Sequence, residues 1–413
     1  MKAVIGYTKS INGEVIIHGS KNASLPIIAS TILLNKKITL SNVPHLKDID
    51  ELHYILNQLG TKIYKENNDY VYQNTNSKND DLLFTNIKNF RASYYLWGAI
   101  LSNKKILKSY YPGGCNFQDR PLDIHFKVFN QFGYKVNLTN EYIEFIKTKK
   151  CKKYINIHFE KKSFGATINA ILLSIKSNKK VKIYNYSIEP EIIDFINFLC
   201  CAGAKILVKK TYILIHGVSR FKDINYTIMQ DRIEAGSYIF LSAAYPNSIL
   251  LMKYNSYKHI KNIIEVYIKM GGKFLIKNEY MVFISPNRLN DIKVIADVYP
   301  SFPTDLQQII CSTLLSTNSK VMDLIYPKRI SHIKELRKLN ADINFFDNEI
   351  IIKPSNLVNN KLNGIDLRGT FSLLVASGKI NAITEIENVD NLFRGYCNIE
   401  QNLNNIGFDI KFI

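Results

Sequence analysis

Six times along the chain a short phrase recurs that ends a helix and starts a strand. It reads Gln58-Leu-Gly-Thr-Lys-Ile63, Gln131-Phe-Gly-Tyr-Lys-Val136 and Cys201-Ala-Gly-Ala-Lys-Ile206 in the first half. The second half has Lys269-Met-Gly-Gly-Lys-Phe274, Lys338-Leu-Asn-Ala-Asp-Ile343 and Asn405-Ile-Gly-Phe-Asp-Ile410. The glycine, or Asn340 in the fifth copy, falls every 67 to 73 residues. Gly and Asn take the left-handed position just past a helix at low steric cost. A fixed period of this length means one supersecondary unit repeated, and it limits the chain to folds assembled from six such units.

Each unit also opens alike, with polar residues before a helix that is apolar nearly all round. These are Lys21-Asn22 before 23–34, Arg91 before 92–101 and Ser163-Phe-Gly165 before 166–175. The later three are Asp231-Arg232 before 233–244, Asp305 before 306–315 and Arg368 before 369–376. A helix apolar on every face must be covered on every face. Each unit therefore reads as buried helix, strand, loop, amphipathic helix and hairpin. Three units wrapping their sheets around their buried helices close one domain, so six make two α/β domains. The expected division is 21–229 for the first domain and 1–20 plus 230–413 for the second. The sixth unit runs out after one strand, and Val15-Ile-Ile17 is the expected source of its missing partner.

If the buried helices of a domain run parallel, their N-termini gather at one end with Lys21, Arg91 and Arg120, or with Asp305, Arg329 and Arg368. Helix N-termini carry partial positive charge and free N–H groups, so such an end attracts phosphate and carboxylate. Two such ends facing each other would form an anion-binding cleft. For any single arginine the plain alternative is a solvated surface charge; recurrence at the same place in each unit argues against it.

The chain carries 54 Lys+Arg against 35 Asp+Glu, a formal charge of +19. Nucleic-acid binding needs that charge clustered. In the sequence Lys is scattered in an Asn-, Ile- and Tyr-rich background, as an AT-rich genome enforces, so no nucleic-acid partner is expected. Apolar runs of about ten to twelve residues are too short to span a bilayer. The six cysteines include no Cys-x-x-Cys pair and follow no secretory signal, which predicts reduced thiols in the cytoplasm.

One stretch looks chemical, Pro112-Gly-Gly-Cys-Asn-Phe-Gln-Asp-Arg-Pro-Leu-Asp-Ile-His125. A Pro-Gly-Gly turn presents Cys115, and Arg120 follows five residues later. Nearby cations lower a thiol pKa and make it useful. The alternative is a surface turn with a bystander cysteine.

Taken together, Lys21-Asn-Ala23, Asn42-Val-Pro-His-Leu-Lys-Asp48, Arg91-Ala-Ser93, Pro112–His125, Glu189-Pro-Glu191 and Asp231-Arg-Ile-Glu234 resemble the enolpyruvyl transferases. Phe302-Pro-Thr-Asp305, Arg329 with His332 and Glu335, Asp366-Leu-Arg368 and Arg394-Gly-Tyr396 extend the likeness over essentially the whole chain. Within that family the likeness is to the UDP-N-acetylglucosamine 1-carboxyvinyltransferases of peptidoglycan synthesis. The resemblance implies a two-domain inside-out α/β barrel that closes over phosphoenolpyruvate and UDP-N-acetylglucosamine, with no metal and no cofactor. It implies Cys115 as proton donor and target of the epoxide fosfomycin, and Asp305 as base at the sugar 3′-hydroxyl. Lys21, Arg120 and Arg394 match phosphoenolpyruvate-holding positions, and Arg368 lies near its carboxylate. Asn22, Arg91, Arg329, Arg120, Pro121, Leu122, Asp123 and Ile124 match the nucleotide-sugar site. The Ser163–Phe164–Gly165 turn fits a phosphate or uridine contact, with Asp48, Glu189 and Asp231 in support.

Three departures bear on that expectation. Phe117-Gln118-Asp119 replaces a commoner Ile-Gly pair before Arg120, which removes a hinge and adds a negative charge beside the thiol. Pro327-Lys328 precedes Arg329 in place of an acidic residue and Asn, and Gly369-Thr-Phe371 replaces Ala-Ser-Ala. Two other readings therefore stand beside the first: a catalytically impaired basic binding protein, and 3-phosphoshikimate 1-carboxyvinyltransferase. The Cys115 loop and Lys21-Asn-Ala argue against the latter, and the retained set Lys21, Cys115, Arg120, Asp305, Arg368 and Arg394 argues against the former.

Overall fold

The computed structural model describes residues 1–75, 81–113, 122–149 and 153–413. Cys115, Arg120 and Pro121, expected in the site, lie outside the described residues. The chain divides into two compact units, Gly19–Met229 and Met1–His18 with Gln230–Ile413.

Among its described residues, the unit Gly19–Met229 has three sheets. The first orders Ile224–Thr227, Ile38–Ser41, Asp69–Asn74 and Thr61–Glu66. The second orders Ile106–Tyr110, Tyr142–Lys147 and Tyr134–Leu138, and the third Lys205–Val208, Tyr212–His216, Lys180–Tyr184 and Tyr154–His158. The other unit repeats the plan. Its sheets order Lys273–Lys277, Tyr280–Ile284, Ile249–Lys253, Asn12–Ile16, then Lys293–Ala296, Ser319–Asp323, Glu349–Ile352, Ile343–Phe346. The last orders Leu362–Asn363, Thr384–Glu387, Lys2–Ile5 and Ile410–Phe412.

In five the strand that follows a buried helix lies antiparallel to the second strand of a hairpin, and in the last Lys2–Ile5 takes that strand's place beside Thr384–Glu387. Five add a parallel edge strand, and the sixth has the single parallel bridge Leu82–Ser109 at that place. This parallel edge was not visible as part of the repeat. It corrects the expected pairing at the chain end. Ile410–Phe412 pairs with Lys2–Ile5, whereas Asn12–Ile16 fills the parallel edge beside Ile249–Lys253. The chain's two N-terminal strands therefore complete two sheets, and Val15 and Ile16 are already committed to the second.

The central helices are Lys21–Leu34, Tyr94–Leu101, Phe164–Ile175, Arg232–Ala243, Gln307–Thr313 and Leu367–Ser377. Every residue of Arg232–Ala243 and Gln307–Thr313 is buried. Several of their hydroxyls donate back to the preceding turn, as Ser30 does to the Ile27 carbonyl and Ser237 to Ile233. The outer helices, such as Lys47–Gln58 and Tyr257–Lys269, bury one face only. The phrase-ending residues all take positive φ, from 64° at Asn340 to 103° at Gly203, as the helix-stop reading requires. Among the described residues no helix is long and apolar enough to cross a membrane.

Two of these stops differ in the room beside them. A Cβ on Gly133 would meet the Lys149 carbonyl oxygen at 2.4 Å, whereas one on Gly203 meets only the Arg220 carbonyl at 4.0 Å. Gly203→Ala is expected to cost roughly 1–2 kcal/mol of left-handed strain and Gly133→Ala clearly more. Equal urea midpoints for the two variants would contradict this.

Candidate active site

Many of the residues expected in the site stand at helix starts, where local bonding fixes them. In Gly19–Met229, Ser20 accepts from the Ala23 N–H and Ser163 from the Ala166 N–H, which caps two of the buried helices. Lys21 projects from the first turn onto Asp48, Nζ to Oδ2 2.7 Å, with both side chains largely buried. Asp48 opens the helix Lys47–Gln58, so this pair ties two helix starts together. Asn22 stands beside Lys21 in the same first turn. Arg91 opens a 3-10 turn, donates to the Pro112 carbonyl at 3.4 Å and lies over the Tyr94 ring.

The Ser163–Phe164–Gly165 turn packs tightly. A Cβ on Gly165 would meet Tyr94 at 2.7 Å and His125 at 2.8 Å. The turn therefore lies against His125, in the first turn of the helix Asp123–Gln131. His125 is buried, and its Nδ1 is 3.0 Å from Asn169 Nδ2, which makes Nδ1 the acceptor. Asn169 also donates to the Tyr94 carbonyl and accepts from the Gly98 N–H. Burial, with Arg91 nearby, pushes the His125 imidazole down to about 3. Glu189 stands before Pro190–Cys201 with a buried Oε2 that has no hydrogen-bond partner among the described residues.

In the other unit three starts converge. Asp231 accepts from the Ile233 and Glu234 N–H groups, and Asp366 from those of Arg368 and Gly369. Asp366 also receives Gln308 Nε2 at 3.2 Å from the third helix. Arg329, 5% exposed, donates to Asp305 at 2.9 Å. Arg368, 3% exposed, lies over the Tyr396 ring at 5.0 Å. Burial works against the Arg368 charge, but Tyr396, Asp305 and Asp231 outweigh it and hold the pKa above the ordinary arginine value. Its Nε and Nη1 have no hydrogen-bond partner among the described residues. Unused donors on a buried guanidinium are costly unless an acceptor arrives, and a carboxylate or phosphate oxygen is such an acceptor. Arg394 ends the 3-10 turn Val389–Arg394 two residues before Tyr396.

Three residues beyond the expected set belong to these clusters. His332 is fully buried beside Asp366 and Arg329, and burial pushes it down to about 3. His18 Nδ1 is 3.2 Å from Glu234 Oε1. Burial opposes the His18 charge, yet its hydrogen bonds with Cys397 and Glu234 raise it to about 10. Asn169, a polar residue on a wholly buried helix, was the available signal for the His125 contact.

The chain matches the family model EPSP synthase (3-phosphoshikimate 1-carboxyvinyltransferase) over residues 5–403 and belongs to that family. It is 33% identical to the UDP-N-acetylglucosamine 1-carboxyvinyltransferase of Halothermothrix orenii over 404 residues, 97% of each chain. It is likewise 33% identical to the protein of that name from Pelagibacter ubique, over 99% of each. Among solved structures, the enolpyruvyl transferase NikO from Streptomyces tendae superposes with TM-score 0.88 at 17% identity, covering 99% of this chain and 98% of that one. EPSP synthase from Acinetobacter baumannii superposes with TM-score 0.76 at 14% identity over the full length of both. These two show the fold.

The pKa shifts have opposite consequences. His125 and His332 are neutral when folded but charge near pH 6.5 when unfolded, so their contribution is complete above that pH and is lost as pH falls toward 3. The His18 contribution is complete below about 6.5 and is lost as pH rises through about 10. Imidazole NMR between pH 6 and 8 is expected to show His18 protonated and His125 and His332 neutral throughout. A midpoint near the ordinary histidine value for any of the three would contradict the assignment.

Proposed function

We infer that the protein transfers the enolpyruvyl group of phosphoenolpyruvate to the 3′-hydroxyl of UDP-N-acetylglucosamine with release of phosphate, the step that commits the sugar to peptidoglycan. The observation that carries this is similarity at 32–34% identity over 97–100% of the chain to proteins bearing that activity's name. The same reading takes the six like sheets as the six repeats of an inside-out α/β barrel, three to a domain, in a cytoplasmic enzyme.

The chemistry needs a proton delivered to the enol CH2 carbon, a proton taken from the sugar hydroxyl, and several negative charges held away from water. Asp305 takes the hydroxyl proton as the sugar oxygen bonds to the enol carbon that bears the phosphate, and Cys115 protonates the neighbouring CH2 carbon. The resulting tetrahedral adduct then loses that proton and expels phosphate. Arg329, donating to Asp305, aims its carboxylate. Arg368 offers an unused donor to the carboxylate of phosphoenolpyruvate, with Lys21, Arg120 and Arg394 on its phosphate. Asp48 orients Lys21 through the 2.7 Å pair. Asn22, Arg91, the 120–124 segment and the Ser163–Gly165 turn take the nucleotide sugar, with Glu189 and Asp231 in supporting places.

Phosphate release from the two substrates tests this directly. Wild type is expected to be active, Cys115→Ala and Asp305→Asn to fall by about 10²-fold or more, and fosfomycin to add its mass at Cys115. An inactive wild type would overturn the enzyme reading; equal rates in wild type and Cys115→Ala would overturn only the role of the thiol.

A further inference from the structure

The sheet Lys205–Val208, Tyr212–His216, Lys180–Tyr184, Tyr154–His158 differs from the other five on its outward face. Its inward face is ordinary: Ile155, Ile157, Val181, Ile183, Ile213 and Ile215 are buried. Alternation sends the remaining residues outward in register. One row across the strands is Lys205, His216, Lys180, Tyr154, the next is Leu207, Leu214, Lys182, Asn156, and the third is Tyr212, Tyr184, His158. The third row is an aromatic ladder. His158 and Tyr184 stack face to face at 4.3 Å and 6°, Tyr184 meets Tyr212 at 5.6 Å, and Lys182 lies over Tyr212 at 4.9 Å.

No Asp or Glu occurs in these four strands. In each of the other five sheets at least one lysine in or beside the strands meets a carboxylate: Lys108 pairs Glu144, Lys293 and Lys320 share Glu349, and Lys2 pairs Glu385. Lys37 pairs Glu66 and Lys253 pairs Glu279 in the remaining two. On this sheet Lys180, Lys182 and Lys205 make no ion pair among the described residues. The nearest carboxylate after the edge strand, Glu160, is taken by Lys127 at 2.7 Å. Three lysines far apart in the sequence are thus gathered, uncompensated, around stacked rings on one face.

We propose that this face binds single-stranded RNA, a function separate from enolpyruvyl transfer. Unpaired lysines supply the phosphate attraction. The ladder ends at His158 on an edge strand, where an unstacked base can continue it, since stacking on aromatic side chains is how sheets hold single strands. Asn156 and His216, exposed beside the lysines, offer donors and acceptors for ribose hydroxyls. Cross-strand aromatic pairs also stabilise sheets by themselves, but that role calls for neither the lysines nor the exclusion of carboxylates.

Fluorescence anisotropy with a labelled oligouridylate of about twelve nucleotides tests the proposal. The complex is expected to weaken with a log–log salt slope of about −2, the value for three phosphates contacted by a single strand. Tyr184→Ala and Lys182→Glu are each expected to weaken binding about tenfold or more, while Tyr184→Phe binds as wild type and all three variants keep their fold and phosphate release. The proposal is overturned by absence of a complex at about 50 mM salt, or by wild-type affinity in Tyr184→Ala. Equal binding of an RNA duplex or of phosphatidylserine vesicles would also overturn it, because either shows charge attraction without base recognition.

Discussion

Six helices without a polar face have to be covered completely, and the rest of the molecule answers that constraint. Sheets and one-sided outer helices supply the cover, and the chain must stop each outer helix sharply to return in the next hairpin. The left-handed residues from Gly60 to Gly407 do this at every turn. The constraint also dictates where polarity can go. A fully covered helix meets polar surroundings only at its ends, and its first-turn N–H groups need acceptors there. Ser20, Ser163, Asp231 and Asp366 provide them, so functional polarity collects at the helix starts.

Those starts are expensive to build. Arg329 and Arg368 are nearly sealed from water, and buried ion pairs repay their desolvation only with good geometry and full hydrogen bonding. Arg329 has Asp305, while Arg368 retains donors with nothing to bond among the described residues. A core built for stability alone would not carry such a group. The neutral His125 and His332 are consistent with this, because imidazoles sealed beside Arg91 and Arg329 give up their charge rather than add to the positive field.

Much of this was legible in the sequence because the repeat prints the same physical signals six times. The helix stops, the buried helices and the polar residues that open them follow from glycine placement and apolar runs. Asp231 and Arg232 stand where the sequence puts them, as cap and first residue of Arg232–Ala243. Strand exchange was not legible. Val15-Ile-Ile17 and Lys2–Ile5 are equally strand-like, and only the packed sheets decide that the latter pairs with Ile410–Phe412. Contacts between distant polar residues, such as His125 with Asn169 and His18 with Glu234, leave no periodic trace. The uncompensated face of the Tyr154–His158 sheet was invisible for the same reason, since its lysines come together only when the four strands pair.

Arg368 is a buried guanidinium at a helix start, with Nε and Nη1 unpartnered among the described residues, and we propose that an anionic substrate meets it. The most direct measurement is the melting temperature of wild type and Arg368→Met with and without phosphoenolpyruvate. A ligand that binds only the folded protein stabilises it by about 2.7 kcal/mol at a hundredfold excess over its dissociation constant. The account predicts a clear rise for wild type and none for Arg368→Met at the same concentration. An equal rise in both proteins would show that the unsatisfied donors of Arg368 are not what the substrate meets.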